Sequence, residues 1–331
     1  MQKKEMNVAI NGFGRIGRAI LKIALERKIN IVAINDTHGA ESAAYTLKYD
    51  SVYGRYKQNI SSKGKYLIIG NKKIPVLSER DPLKLPWKSL NVDVVIESTG
   101  AFTNARDAVA HIKAGAKKVV ITAPAKGPDV TIVPGVNDSW LKSSHKILSV
   151  GSCTTNCTAT IAKVLMDTFG VKYAMLTTIH AYTNDQAIQD SAHHNIRRGR
   201  AGALNMVPTT TGAAETVIEV LPKLKGLMTG LSVRVPVACG SLTDLTVEVI
   251  KKATVKSVND AFKKASKSTF KGLIEYTEDP LVSSDVIGNP HSAVVDALST
   301  QVDGNLVKIL AWYDNEFGYS NRVVDIVQRL K

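Results

Sequence analysis

One of the chain's three cysteines, Cys153, stands where an apolar run breaks and restarts, in "ILSVGSCTTNCTATIAKVL". If "KILSV" is a strand and "TNCTATIAKVLMDTFG" a helix, Cys153 lies at the helix N-terminus, where the dipole and unpaired amides favour a thiolate. A thiolate there is a nucleophile. Ser152, Thr154 and Thr155 surround it with hydroxyls able to bind an anion. The plainer alternative for a cysteine is a small buried hydrophobe. That description fits Cys157, one turn later on the same face, and Cys239 in "VPVACGSLTD". A nucleophilic thiol needs a base, and "AMLTTIHAYTNDQ" reads as a strand that delivers His180 at its end, followed by Thr183 and Asn184. Such a histidine would favour the thiolate and later move a proton; taken alone, it can equally be structural.

Two further segments suit anions. "NMVPTTTGAAETVIEVLPKL" places Thr209, Thr210, Thr211 and Gly212 just before an amphipathic helix, a seat for phosphate through hydroxyls and free amides. "GLSVRVPVACG" puts Arg234 inside a strand, where burial of a guanidinium is costly without an anionic partner. Ordinary helix capping also accounts for the threonines, and an internal carboxylate could pair with Arg234.

The first half of the chain supplies a cofactor frame. "NVAINGFGRIGRAILKIALERKINIVAINDT" reads as strand, glycine-rich turn, amphipathic helix and second strand. Gly12, Gly14 and Gly17 form G-x-G-x-x-G in the context that a dinucleotide fingerprint requires. Amides at the helix start, including those of Arg15 and Ile16, can hold a pyrophosphate. Asp36, about twenty residues beyond Gly17, can accept hydrogen bonds from an adenosine ribose. "VDVVIESTGAF" and "AKKVVITAPAK" are further strands around the helix-like "NARDAVAHIKAGA". Ligands sit beyond the carboxyl ends of such strands, so Thr99, Gly100 and Thr122 are candidates for the nicotinamide half. All these residues can also be plain turn and cap positions.

The composition, 44% hydrophobic and 22% charged, is that of an ordinary globular protein, and 331 residues are enough for two domains. "MQKKEMNVAINGFG" lacks the apolar core and cleavage site of a signal peptide, and no run of about 18 apolar residues suggests a membrane span, so the cytoplasm is the expected location. An odd cysteine count with no C-x-x-C pair argues against a disulfide framework or zinc site. The formal charge of +14 admits nucleic acid, a membrane surface or anionic substrates. Lys256, Lys263, Lys264 and Lys267, however, interleave with Val258, Ala261, Phe262 and Ala265 as the wet face of an amphipathic helix.

Taken in order, "INGFGRIGR", "LKYDSVYG", "SCTTNC", "HAYTNDQ", "RRGRAGALNMVPTTTGAA", "RVP" and "WYDNEFGYS" closely resemble the phosphorylating glyceraldehyde-3-phosphate dehydrogenases over essentially the whole chain. The resemblance implies an α/β plus α+β fold. A Rossmann-type doubly wound dinucleotide-binding domain would span 1–152, completed by a C-terminal helix 316–331. A mixed-sheet catalytic and tetramerisation domain would span 153–315, with an S-shaped loop over 181–203 near a neighbouring subunit's cofactor.

By the same resemblance Cys153 attacks the aldehyde and His180 takes the proton, hydride passes to the nicotinamide, and inorganic phosphate releases an acyl phosphate from the thioester. Thr183 and Arg234 correspond to the pocket for the substrate's phosphate. Ser152, Thr154, Thr211 and Gly212 correspond to the pocket for inorganic phosphate, and Arg198 to a further residue of that region. Asn315 corresponds to the residue that holds the nicotinamide carboxamide, and Arg80 joins the cofactor set. The implied partners are glyceraldehyde 3-phosphate, inorganic phosphate and three further copies of the chain, with no metal, membrane or dedicated nucleic-acid role.

The S-loop departs from the family pattern. Strictly NAD-using members usually carry Leu-Pro where this chain has Ser191-Ala192, and the smaller pair leaves room for a 2′-phosphate. "NDTHG" also resembles NADP-accepting relatives, while Asp36 would repel such a phosphate. Use of both NAD and NADP is the resulting expectation. Oxidation of another sugar phosphate such as erythrose 4-phosphate is the sibling alternative, disfavoured by the intact "PTTTG". A nucleic-acid or surface-adhesion protein is the alternative from a different class, and no aromatic platform or recognition motif supports it.

Overall fold

A computed structural model describes residues 5–330. The charged start, Met1–Lys4, and the final Lys331 belong to the expected domain spans but lie outside the described residues. Contacts divide the described residues into two compact units: 5–132, 139–151 and 320–330 form the first, and 133–138 and 152–319 form the second.

In chain order the first unit holds β1 (Asn7–Asn11), α1 (Arg15–Glu26), β2 (Asn30–Asn35), α2 (Gly39–Lys48), β3 (Tyr49–Asp50), β4 (Gly54–Arg55), β5 (Ile60–Lys63), β6 (Tyr66–Ile69), β7 (Lys72–Leu77), β8 (Val94–Glu97), α3 (Ala105–Lys113), β9 (Lys118–Ile121), β10 (Val130–Thr131) and β11 (Ile147–Ser149). The nine-stranded sheet runs β10-β11-β9-β8-β1-β2-β7-β6-β5. From β10 to β7 every pairing is parallel, and β7, β6 and β5 close the edge as antiparallel neighbours. Parallel strands covered on both faces must be apolar throughout. Accordingly Val94, Val95 and Ile96 of β8 are all buried, as are Val8, Ala9 and Ile10 of β1.

The second unit contains α4 (Cys153–Phe169), β12 (Val171–Ala181), β13 (Val207–Thr209), α5 (Ala213–Val220), β14 (Met228–Val235), β15 (Ser241–Val249), α6 (Val255–Lys267), β16 (Ile274–Thr277), β17 (Ala293–Asp303) and β18 (Leu306–Tyr313). Its mixed sheet has the order β13-β14-β12-β15-β18-β17-β16. The core joins α4, through Ile161, Leu165 and Phe169, to Leu176, Leu245, Val247, Val307 and Ile309 of the sheet. In α6, Val258 and Phe262 are buried while the lysines face water, as their spacing requires. The last helix, α7 (Phe317–Arg329), carries buried Val323, Val324, Ile326 and Val327. Within the first unit it is tied to the end of α1, where Arg27 donates to Asn321 at 2.5 Å and pairs with Asp325.

Candidate active site

Both units present a functional constellation. In the first, Gly12 has φ +91°, a left-handed value, and a Cβ there would lie 2.6 Å from the Thr99 amide nitrogen. Only glycine permits this turn. A Cβ on Gly17 would stand 2.2 Å from the Gly12 carbonyl oxygen, so the helix can approach the turn only without a side chain. Gly14 is the N-cap of α1, and no side chain caps it. First-turn amides such as that of Ile16 have no intrahelical acceptor and suit a pyrophosphate.

Asp36 follows β2 directly. Its Oδ2 accepts the Phe13 amide at 2.9 Å, while Oδ1 accepts the His38 amide and lies 3.0 Å from the His38 ring. Arg15 pairs its guanidinium with Asp50 at 2.8 Å. Thr99 and Gly100 are exposed just beyond β8, and Arg80 just beyond β7. The Thr122 side chain departs from expectation: its hydroxyl donates back to the Glu97 carbonyl at 3.0 Å and so braces the strand ends rather than offering a donor outward.

In the second unit Cys153 is the first residue of α4, and the Ser152 hydroxyl caps the helix by accepting the Thr155 amide at 3.0 Å. Cys153 Sγ is 3.4 Å from His180 Nε2. His180 Nδ1 is 2.6 Å from the Ala181 carbonyl, which can only accept, so Nδ1 carries the proton and Nε2 is free to take one from the thiol. The Tyr313 ring meets the imidazole edge-on with centroids 6.1 Å apart.

Burial opposes a lone charge on either group. It pushes the Cys153 thiol up, against the pull of the Arg234 charge and the Thr154 amide, and with Arg234 it brings His180 down to about 3. Proton transfer within the pair is different, because it creates no net charge. The thiolate then faces Arg234 and the helix start, and the imidazolium is held by the Ala181 carbonyl.

The three-hydroxyl pocket expected around the thiol is reduced. The Thr154 hydroxyl is buried and bonded to Tyr313 Oη at 2.8 Å, and Thr155 faces Ser152 at 2.8 Å. The Thr154 hydroxyl and amide also favour the thiolate form of Cys153, and the first-turn amides of α4 have no intrahelical acceptor.

Arg234 on β14 lies in register with His180 on β12. It donates to Thr183 Oγ1 at 3.0 Å and to the Ala181 carbonyl at 3.4 Å, while its buried Nε has no partner. Among the described residues no carboxylate forms an ion pair with Arg234, so the guanidinium is held by neutral oxygens alone. Arg198 spreads over Thr209 Oγ1, the Thr210 carbonyl and Asp185, the last at 2.6 Å. Thr211 accepts the Ala213 amide at 3.1 Å, and Gly212 is the exposed N-cap of α5. Asn315 Oδ1 accepts from Gly240 N and Ser241 Oγ, which orients the side chain and leaves its NH2 as the free donor.

Tyr313, which bridges Thr154 and Thr178, and Asp185, which holds Arg198, were not singled out from the sequence. Both lie inside the motifs "WYDNEFGYS" and "HAYTNDQ", and strand alternation would have placed Tyr313 on the inward face.

Residues 6–105 match the family described as glyceraldehyde 3-phosphate dehydrogenase, NAD binding domain, and residues 152–315 match its C-terminal domain. The chain is 52% identical to glyceraldehyde-3-phosphate dehydrogenase of Borreliella burgdorferi over 98% of this chain and 99% of that protein. It is 53% identical to glyceraldehyde-3-phosphate dehydrogenase 2 of Streptomyces avermitilis, over 97% of each chain. It is 51% identical to glyceraldehyde-3-phosphate dehydrogenase of Geobacillus stearothermophilus, again over 97% of each. With two domain matches and near-complete coverage at about half identity, the chain belongs to the glyceraldehyde 3-phosphate dehydrogenase family.

Proposed function

We propose that this chain oxidises glyceraldehyde 3-phosphate and phosphorylates the product to 1,3-bisphosphoglycerate, through a thioester on Cys153. The observation that carries the reading is the 3.4 Å contact of Cys153 Sγ with the unprotonated His180 Nε2, beside the half-buried guanidinium of Arg234, whose Nε is buried. Cys153 Sγ bonds to the aldehyde carbon as its proton moves to His180 Nε2, and the imidazolium then donates to the developing oxyanion. Thr183 and Arg234 hold the substrate's own phosphate. Ser152, the Thr154 amide, Thr211, Gly212 and Arg198 receive inorganic phosphate, whose oxygen attacks the thioester carbon and expels the thiolate.

NAD, when bound, would supply the hydride acceptor that the oxidation needs. Gly12, Gly14, Gly17 and the amides of Arg15 and Ile16 would hold its pyrophosphate, Asp36 and Arg80 its adenosine end, and Thr99 and Gly100 the region of the nicotinamide, with Thr122 bracing the strand ends behind them. The oriented NH2 of Asn315 would meet the carboxamide. The test is phosphate-dependent reduction of NAD with glyceraldehyde 3-phosphate, repeated on Cys153→Ser; retained turnover in that variant contradicts the mechanism.

Our reading extends to use of NADP beside NAD. It is supported by the small, exposed Ser191-Ala192 pair. A kcat/KM preference for NAD above about 10³-fold, some 4 kcal/mol, would overturn it.

We further read the protein as a cytoplasmic homotetramer. Its three free thiols suit a reducing compartment, and no helix among the described residues is long and apolar enough to cross a membrane. Solvent reaches Ile188, Ile196, Leu204 and Met206 around the S-loop, as well as Met175 and Leu231 on the open sheet face, the kind of apolar surface that subunits cover.

A further inference from the structure

The first unit buries a polar network that the proposed chemistry does not use. Glu97, the last residue of β8, is 2% exposed, yet its carboxylate receives four donors. Oε1 accepts the Thr99 amide at 2.8 Å and the Thr99 hydroxyl. Oε2 accepts Asn11 Nδ2 at 2.5 Å and faces His111 Nε2 at 3.0 Å. The far side of His111 fixes its tautomer: Trp87 Nε1 is 2.9 Å from Nδ1, and an indole can only donate. Nδ1 therefore bears no proton, and Nε2–H points at Glu97. Trp87 and His111 are both fully buried.

The network continues across the strand ends. Asn35 Nδ2 donates to Asn11 Oδ1 at 2.7 Å, and Asn35 Oδ1 accepts the Glu79 amide at 2.9 Å. Ser98 Oγ donates to the carbonyls of Asn11 and Gly12, at 3.1 and 2.8 Å. The peptide that Glu97 holds is thus the one against which Gly12 packs without a side chain. A hydrophobic strand end would suffice for stability alone, since a buried carboxylate is costly to desolvate. Its four aimed donors set the path of the main chain just beyond β8.

We propose that Glu97 is a positioning residue for the dinucleotide: oriented by Trp87–His111 on one side and Asn11 on the other, it fixes the Ser98–Thr99–Gly100 turn and the glycine-rich turn packed on it. The proposal rests on the cofactor reading above. Glu97→Gln replaces one acceptor oxygen with a donor group facing donors. His111→Leu removes the Nε2–H, whereas His111→Gln retains a donor and an acceptor on a side chain of similar reach.

The test is isothermal titration of NAD into each purified full-length variant, with the rate of Cys153 alkylation by iodoacetamide in nucleotide-free protein as a control on the second unit. The expected result is Kd for NAD raised about tenfold or more in Glu97→Gln and His111→Leu, within about threefold of wild type in His111→Gln, and alkylation unchanged throughout. Should Glu97→Gln fail to fold, the two His111 variants decide. Wild-type affinity in His111→Leu or Glu97→Gln, or His111→Gln as weak as His111→Leu, overturns the proposal. Wild-type protein that binds no NAD overturns the cofactor reading itself.

Discussion

At the level of single side chains, reactivity at Cys153 depends on nearby positive charge overcoming burial. Arg234 favours the thiolate, so removing it raises the thiol pKa and lowers the thiolate fraction at any pH below that pKa. Arg234→Leu is therefore expected to move the pH profile of Cys153 alkylation to higher pH, so that at neutral pH the rate falls about tenfold for every pH unit the profile moves. His180→Asn should displace the profile the same way and reduce kcat by about 10² to 10⁴-fold, because the proposed mechanism has the imidazole take the thiol proton. Profiles that overlay wild type would show that neither group touches the reacting sulfur's charge. Cys157 is fully buried with its thiol pushed up to about 12 by desolvation, so alkylation at neutral pH should leave it unlabelled.

The elements behave as their sequences direct where the signal is local. The strand-to-helix break at Gly151-Ser152 and the glycine spacing after β1 were legible because each involves a cap or turn that one short stretch specifies. Glu97 was not: within "VVIEST" it reads as the end of a strand, and its partners Trp87, His111 and Asn11 are distant in sequence. Tyr313 escaped for the same reason, since its two threonine partners come from α4 and β12. The antiparallel β5–β6–β7 edge was likewise unread, although Gly64 and Gly70 turn there with positive φ.

Two substitutions test the element-level account. Gly17→Ala drives a Cβ into the Gly12 carbonyl and should weaken NAD binding at least about tenfold, as measured by titration. Thr254→Ala removes the capping box that starts α6, so urea denaturation should show a loss of about 1 kcal/mol with kcat unaltered.

For the whole molecule, the +14 charge and the exposed apolar residues make separable demands. If the proposed tetramer buries the open face of the mixed sheet, wild type should show a four-chain mass in light scattering and Met175→Glu a smaller one; an unchanged mass would contradict burial of that face. Any nucleic-acid binding driven by the net charge should fall steeply between low and physiological salt, while turnover follows the anion pockets. The most direct measurement is intact mass and peptide mapping after mixing the enzyme with glyceraldehyde 3-phosphate and NAD in the absence of phosphate. The expected result is a burst of NADH stoichiometric with active sites and a 3-phosphoglyceryl group on Cys153, released when phosphate is added. A burst that persists in Cys153→Ser, or an acyl group on any other residue, would contradict the account.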